Sequence, residues 1–457
     1  MWRAYLGSCA MSLGSYRLVA WINRLALTAV LLAAAAAWSG ASAYTLTTLR
    51  HFCTLRSCTD GQYPQSSLIA DAAGALYGTT YQGGEFGYGT IYQLARNPKT
   101  GKFVYRVLYS FCSQAGCSDG VYPTGPLIID TGGNLYGTTS QGGISNKGVA
   151  FELAINSAKR IPTFKVLHAF GSQSGDGFAP YGGLTYLGAA SGIPYDGVSP
   201  LFGATADGGA NAGGTAFELT NDGGSWSETI IYNFCSKVVG VCRDGRNPSG
   251  GLIVDGSGEL FGTAQFGGQY GHGIIFKLEQ DAGSWTETVL HSFCAEANCM
   301  DGQYPSSTLV MDGAGNLFGT SPYGGTANGG CCGFIYKLVP RGTLSPYTIA
   351  YEFCDKINCL DGANPSGTLI VDSSGNLLGT TDTGGGHNID GSHLGGGTVF
   401  SLSGSSLKTL YAFCARANCL DGKYPVAGLV LDPSGNLFGT TSAGGKYGVG
   451  TAFELTP

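Results

Sequence analysis

One phrase of roughly sixty residues returns seven times along this chain, which limits it to an array or a closed ring of one supersecondary unit. Its anchor is an aromatic residue: Phe52, Phe111, Phe170, Phe234, Phe293, Phe353 and Phe413, spaced by 59, 59, 64, 59, 60 and 60 residues. The same string follows each anchor. In the fifth copy it reads Cys294, Cys299, Asp301-Gly302-Gln303-Tyr304-Pro305, Leu309-Val310-Met311-Asp312, Gly315-Asn316-Leu317-Phe318-Gly319-Thr320, Gly324-Gly325, then Phe334-Ile335-Tyr336-Lys337-Leu338.

Each copy holds four short apolar runs divided by turn residues, the pattern of four strands. In the second copy these are Val104 to Phe111, Leu127 to Ile129, Asn134 to Thr139 and Val149 to Leu153. Between the second and third runs lies Asp130-Thr131-Gly132-Gly133-Asn134, a short hairpin loop opened by Asp and turned by Gly. The same turn recurs at Asp71, Asp255, Asp312, Asp372 and Asp432. Seven four-stranded units predict an all-β, seven-bladed β-propeller, because a lone blade cannot bury both faces and must stack on neighbours. A linear β-solenoid is the competing architecture; its repeats are usually shorter, and hairpin turns argue against its parallel coils.

The chain ends favour the ring. Tyr44 to Phe52 is the strand that normally comes last in a unit, and Gly450 to Leu455 is the third strand of the last unit. Antiparallel pairing of Leu46–Phe52 with Thr451–Leu455 closes the circle and removes two exposed edges.

Residues 1–43 stand apart. They carry Arg3, Arg17, Arg24 and no acid, an apolar run from Leu25 to Trp38, and Ala41-Ser42-Ala43, which read as a secretory signal. An uncleaved N-terminal anchor is the rival reading. Cleavage leaves residues 44–457 as the propeller and shifts the net charge from −6 to −9. An acidic chain with no basic cluster excludes nucleic acid and, after cleavage, membrane surfaces as partners.

An exported chain with 15 cysteines is expected to form disulfides. Twelve form local pairs: Cys53/Cys58, Cys112/Cys117, Cys235/Cys242, Cys294/Cys299, Cys354/Cys359 and Cys414/Cys419. The third copy has none, reading Gly171-Ser172-Gln173-Ser174-Gly175. A metal would need four ligands around one ion, and no histidine recurs beside the pairs. Cys331-Cys332 stays open between a vicinal disulfide, two thiols and an intermolecular bond; Cys9 lies in the leader.

The phrase Asp-Gly-x-Tyr-Pro, Gly-Asn-Leu-Tyr/Phe-Gly-Thr-Thr, Gly-Gly and Gly-Thr-x-Phe-x-Leu resembles the bacterial GloVer tandem repeat of certain cyanobacteria and Verrucomicrobia, a choice-of-anchor family. The resemblance spans Tyr44 to Pro457 and is clearest at Asp130 to Thr139, Asp312 to Thr320 and Asp432 to Thr441. It implies an exported surface or extracellular protein and brings no established activity. Members often end in a sorting tail; this sequence stops at Pro457, so free secretion, extracellular or periplasmic, is expected over surface retention.

One face is expected to carry both the Cys-bracketed loops and the Gly-Gly loops. It would be ringed by Asp60, Asp119, Asp176, Asp244, Asp301, Asp361 and Asp421, with Tyr63, Tyr122, Tyr304 and Tyr424 nearby. Such a face suits sugars or cations, since rings offer flat apolar surfaces and acids accept hydrogen bonds. Yet an Asp recurring in all seven copies is better explained by the turn it serves in every blade. Two features are unique to one copy. The third inserts Leu187 to Pro200, expected on the opposite face. The sixth lengthens its Gly-Gly loop with His387, Asp390 and His393, a weak candidate for a metal site.

No catalytic or cofactor motif stands in a credible context, and no cofactor is assigned. The expectation is a monomeric, exported binding scaffold for polysaccharide or another surface protein, not an enzyme. A carbohydrate-active hydrolase or lyase with acids near the channel is the alternative, and a purely structural surface component is the third reading. Unique acids or histidines clustered at the channel would favour the enzyme; near-identical channel layers would favour binding or scaffold.

Overall fold

The computed structural model describes residues 44–155, 162–189, 192–326, 330, 332–340, 345–387 and 395–457. The leader, Cys331, Asp390 and His393 lie outside the described residues.

The described chain forms a seven-bladed propeller. Blade 1 runs Ile69–Ala70, Leu76–Thr80, Thr90–Arg96 and Phe103–Ser110, each strand antiparallel to the next. Blades 4, 5 and 6 repeat that order, and blade 2 adds a short strand, Val121–Pro123, beside its second. In blade 3 the innermost strand shrinks to one antiparallel pair, Thr185 with Phe202, ahead of Leu201–Thr205, Thr215–Asp222 and Ser225–Asn233. Blade 7 is shared between the chain ends. Thr45–His51 pairs antiparallel with Thr451–Thr456, from Thr45 opposite Thr456 to His51 opposite Thr451, closing the ring as the offset ends required.

Stacking between blades supplies the core. The buried apolar residues fall into seven clusters, one at each junction, and every cluster contains one anchor phenylalanine with no exposed surface. Each anchor ends one blade's outer strand and packs on an aromatic of the next blade's third strand. These partners are Tyr92, Phe151, Phe217, Phe276, Tyr336, Phe400 and Phe453, at centroid separations of 4.9 to 5.5 Å. The partner ring in turn lies over the glycine of the second strand. A Cβ on Gly203 would sit 2.4 Å from Phe217 Cζ, which is why a residue with poor strand propensity recurs mid-strand.

The outer strand carries a bulge in all seven blades, for example between Val166 and His168 opposite Phe151 and Ala150. A bulge bends its strand and increases local twist. The innermost segments behave differently: backbones of successive blades touch. A Cβ on Gly125 would meet Gly182 O at 2.6 Å, one on Gly182 would meet Gly250 O at 2.8 Å, and one on Gly367 would meet Ala427 O at 2.7 Å. Only strands next to the axis can approach this closely around a ring.

A second set of glycines ties blades together at the start of the third strand. Gly214 has φ +93°, and a Cβ there would lie 2.3 Å from Thr205 O and 2.7 Å from Pro248 Cδ of the next blade. The obstructing atom is backbone, so it cannot swing away. Gly214→Ala should therefore lower unfolding free energy by about 2–4 kcal/mol. Gly256→Ala, in an open turn with nothing within 4 Å, should be near neutral. Denaturant midpoints of the two variants check this; equal midpoints would remove the steric account.

Candidate functional site

The Cys-bracketed and Gly-Gly loops do share one face. In every blade a glycine N–H of the second loop donates to a carbonyl of the first: Gly84 to Cys58, Gly143 to Cys117, Gly209 to Asp176, Gly268 to Cys242, Gly325 to Met300, Gly385 to Cys359 and Gly445 to Cys419, all 2.8 to 3.0 Å. The six local cysteine pairs are disulfide-bonded across this face, each closing a turn of the first loop.

The loop aspartates do not look outward. Asp60, Asp119, Asp176, Asp244, Asp301, Asp361 and Asp421 are buried, at most 6% exposed. Asp119 shows the reason: its carboxylate accepts from Ser113 N, Ser113 Oγ and Gln114 N at 2.9, 2.9 and 3.3 Å, and from Tyr109 OH at 2.6 Å. The outer-strand residue two before the anchor reaches the loop Asp in every blade. It is Arg50, Tyr109, His168, Tyr232, His291, Tyr351 or Tyr411. These carboxylates organise the loop and are spent within it. For Asp60, burial raises the carboxyl's pKa, but bonds from Thr54 Oγ1, the Leu55 and Thr54 N–H groups and Arg50 outweigh it, leaving it below the usual range. Asp301 is lowered likewise, burial being outweighed by His291 and the Glu296 and Ala295 N–H groups.

At the inner rim stands the residue before each loop proline, part-exposed in every blade except the third, where Ala179 is buried. Tyr63, Tyr122, Ala179, Asn247, Tyr304, Asn364 and Tyr424 all adopt left-handed φ between 55 and 60°. The reason is a bridge between blades. Each of their N–H groups donates to the preceding blade, at Val449, Tyr88, Lys147, Gly213, His272, Cys332 and Gly396 O, over 2.7 to 3.0 Å. The four tyrosines are half-buried. Tyr122 stacks on Tyr81 at 4.8 Å, Tyr304 lies 5.5 Å from Phe266, and Lys423 stands 5.0 Å above Tyr424. Asp382 follows the second strand of blade 6 at this rim, its carboxyl pushed up to about 6 by burial.

The channel wall is plain. The seven innermost segments, residues 64–70, 123–129, 180–186, 248–254, 305–311, 365–371 and 425–431, contain no acid, histidine, lysine or arginine. Each begins with proline and carries a leucine, from Leu68 to Leu429, pointing into a junction cluster.

On the opposite face the third-copy insertion emerges as expected. It is pinned by Tyr195, fully buried against Tyr136 and Tyr186, while Thr131 N of the neighbouring blade donates to Tyr195 O at 2.9 Å. His387 of the sixth-copy loop is exposed, and its two proposed co-ligands lie outside the described residues. Cys332 is buried. Three groupings of metal-ligating side chains occur among the described residues. Two of them, around Cys294/Cys299 and Cys354/Cys359, use disulfide-bonded cysteines. The third, His168 with Asp176 and Glu228, sits at the junction of blades 2 and 3, and its members were not brought together by sequence reasoning.

The family profile of the Gloeobacter/Verrucomicrobia repeat matches residues 38–199 and 332–457. The chain belongs to this repeat family. The stretch between the two matched regions folds into the same blades, so the repeat architecture is continuous around the ring. A search of the curated proteins gives no match. Among solved structures, the repeat protein is similar to a candidate 6-phosphogluconolactonase from Bacteroides uniformis, with 13% identity, 82% of this chain and 89% of that one covered, and TM-score 0.47. It is also similar to Penicillium chrysogenum α-L-arabinanase, with 14% identity, 80% and 98% covered, and TM-score 0.43. Trypanosoma rangeli sialidase aligns at 9% identity, with 86% and 55% covered and TM-score 0.38.

Two outcomes follow for the repeat loops. Peptide mapping of the unreduced protein should recover six short cross-linked peptides, and replacing Cys112 and Cys117 together by serine should cost on the order of 2 kcal/mol in a denaturant melt; a scrambled map would refute the pairing. The depressed carboxyls of Asp60 and Asp301 contribute stability that is whole above the unfolded pKa, about 4, and is lost as pH falls through their lower folded values. Asp60→Asn should therefore lower the denaturation midpoint at pH 7 and flatten its fall on acidification below about pH 4. An unchanged acid limb would exclude that assignment.

Proposed function

We propose that this repeat protein is an exported binding module that holds a neutral polysaccharide on the tyrosine rim of its Cys-loop face. The observation that carries the reading is the left-handed slot before each loop proline. A left-handed backbone suits Asn far better than Tyr, and Asn247 and Asn364 fill the slot in two blades. Four blades nonetheless keep tyrosine there, at a conformational cost of order 1 kcal/mol each. Their backbone bridge to the preceding blade is the same with either residue, so the ring is what tyrosine adds. Flat half-exposed rings with neighbouring hydroxyls are the surface that sugar faces pack against.

Six disulfides support export to an oxidising compartment. Among the described residues no helix is long and apolar enough to cross a membrane. The absence of acid and histidine from the innermost segments supports binding over glycoside cleavage, which needs two carboxyls about 5–10 Å apart. Asp382 of blade 6 and Asp207, which lies just after the second strand of blade 3, belong to blades that are not neighbours.

Glycan-array binding of the chain from residue 44, followed by a hydrolysis screen on the hits, tests this. Saccharide binding without turnover is expected. Tyr122→Asn and Tyr304→Asn, which install the residue other blades already use, should leave the melting temperature near wild type and weaken binding about tenfold, or 1.4 kcal/mol. Turnover of a bound glycan would move the protein to the hydrolase class. Undiminished binding by both variants would remove the rim from the site.

A further inference from the structure

The junction of blades 2 and 3 differs from the other six in three linked ways. Its loop has no disulfide. The loop is also two residues shorter from anchor to aspartate than the commonest copies, Phe170 to Asp176 against Phe111 to Asp119. And Asp176 accepts only one backbone N–H, from Ser172 at 3.1 Å, where the other loop aspartates accept two. In place of these ties, three ligating side chains converge.

His168 Nε2 lies 3.2 Å from Asp176 Oδ2 and 3.5 Å from Glu228 Oε2. The three side chains are 8%, 1% and 4% exposed. His168 comes from the outer strand of blade 2, Asp176 from the loop, and Glu228 from the outer strand of blade 3. Hydrogen bonding alone does not satisfy the group. One imidazole Nε2 faces two carboxylates, and the second oxygens, Asp176 Oδ1 and Glu228 Oε1, are buried with no partner. Burial, and behind it the charge of Asp176, pushes the Glu228 carboxyl well above the usual carboxylate range against the opposing pull of His168, so without a cation the pair holds a proton that a bound dication would displace.

We infer that His168, Asp176 and Glu228 form a structural site for one divalent transition-metal ion, zinc or manganese in class, that fastens blade 2 to blade 3 where the disulfide is missing. Charge balances: two carboxylates and a neutral imidazole offset a dication. Spacing balances too. Donors about 2.1 Å from a tetrahedral ion stand about 3.4 Å apart; the two separations from His168 Nε2 bracket that value, and all three donor atoms lie within 4.8 Å of one another. Imidazole with carboxylate selects zinc or manganese over calcium, which takes oxygen alone. Two unpartnered carboxylate oxygens offer the additional lone pairs that a bidentate ligand would use. Phe170, edge-on to His168 at 4.9 Å, closes the apolar side.

The test uses the untagged chain from residue 44, stripped with chelator. Titration with zinc or manganese chloride, followed by calorimetry and by metal analysis after desalting, should show about one equivalent bound. At a hundredfold excess over the dissociation constant the melting temperature should rise by about 3 °C. His168→Tyr installs the residue that four other blades use to reach their loop aspartate, so it should fold. Both it and Glu228→Gln should lose the equivalent and the thermal shift. Stripped wild type that takes up neither metal overturns the site, as does uptake that survives both substitutions or a response to calcium alone.

Discussion

The ring depends on one wedge repeated seven times: a phenylalanine at the end of one blade pressed against an aromatic of the next, which itself fits over a glycine. Each of the seven core clusters contains one such wedge, and no cluster belongs to a single blade. A blade is therefore stable only as somebody's neighbour, and the circle closes where Thr45–His51, the strand that leads into Phe52, pairs with Thr451–Thr456 of the last blade. The bulges and the paired ends are devices that bring each wedge into register.

Much of this was readable from residue order. The period gave the blade count, and the offset ends gave the pairing of Leu46–Phe52 with Thr451–Leu455, because an unpaired strand at each end has one obvious remedy. The Asp-x-x-Gly turn was legible as well: Asp312 Oδ1 accepts the Ala314 and Asn316 N–H groups as such a turn requires. The local cysteine pairs were adjacent in sequence and needed no tertiary knowledge.

Other features were hidden for a physical reason. Whether a loop aspartate points out or in depends on backbone N–H groups four to eight residues before it, and nothing in Asp-Gly-x-Tyr-Pro announces how that loop folds back. The His168 group joins residues from two blades. Its one signal was an acid in a column that otherwise holds Leu46, Tyr105, Phe164, Tyr347 and Leu407, with Glu287 as the only parallel. Glu287 has Lys237 at 2.8 Å, and Glu228 has the histidine instead. An acid without a lysine in a mostly apolar column, opposite the one loop stripped of cysteine, is a legible anomaly once the columns are aligned by blade.

The shared blade also fixes orientation. Thr45 and Thr456 face each other at the hairpin end of their sheet, away from the disulfide loops. The backbone therefore enters the ring before Thr45 and leaves it after Thr456 on the underside, the side opposite the rim that carries Tyr63, Tyr122, Tyr304 and Tyr424.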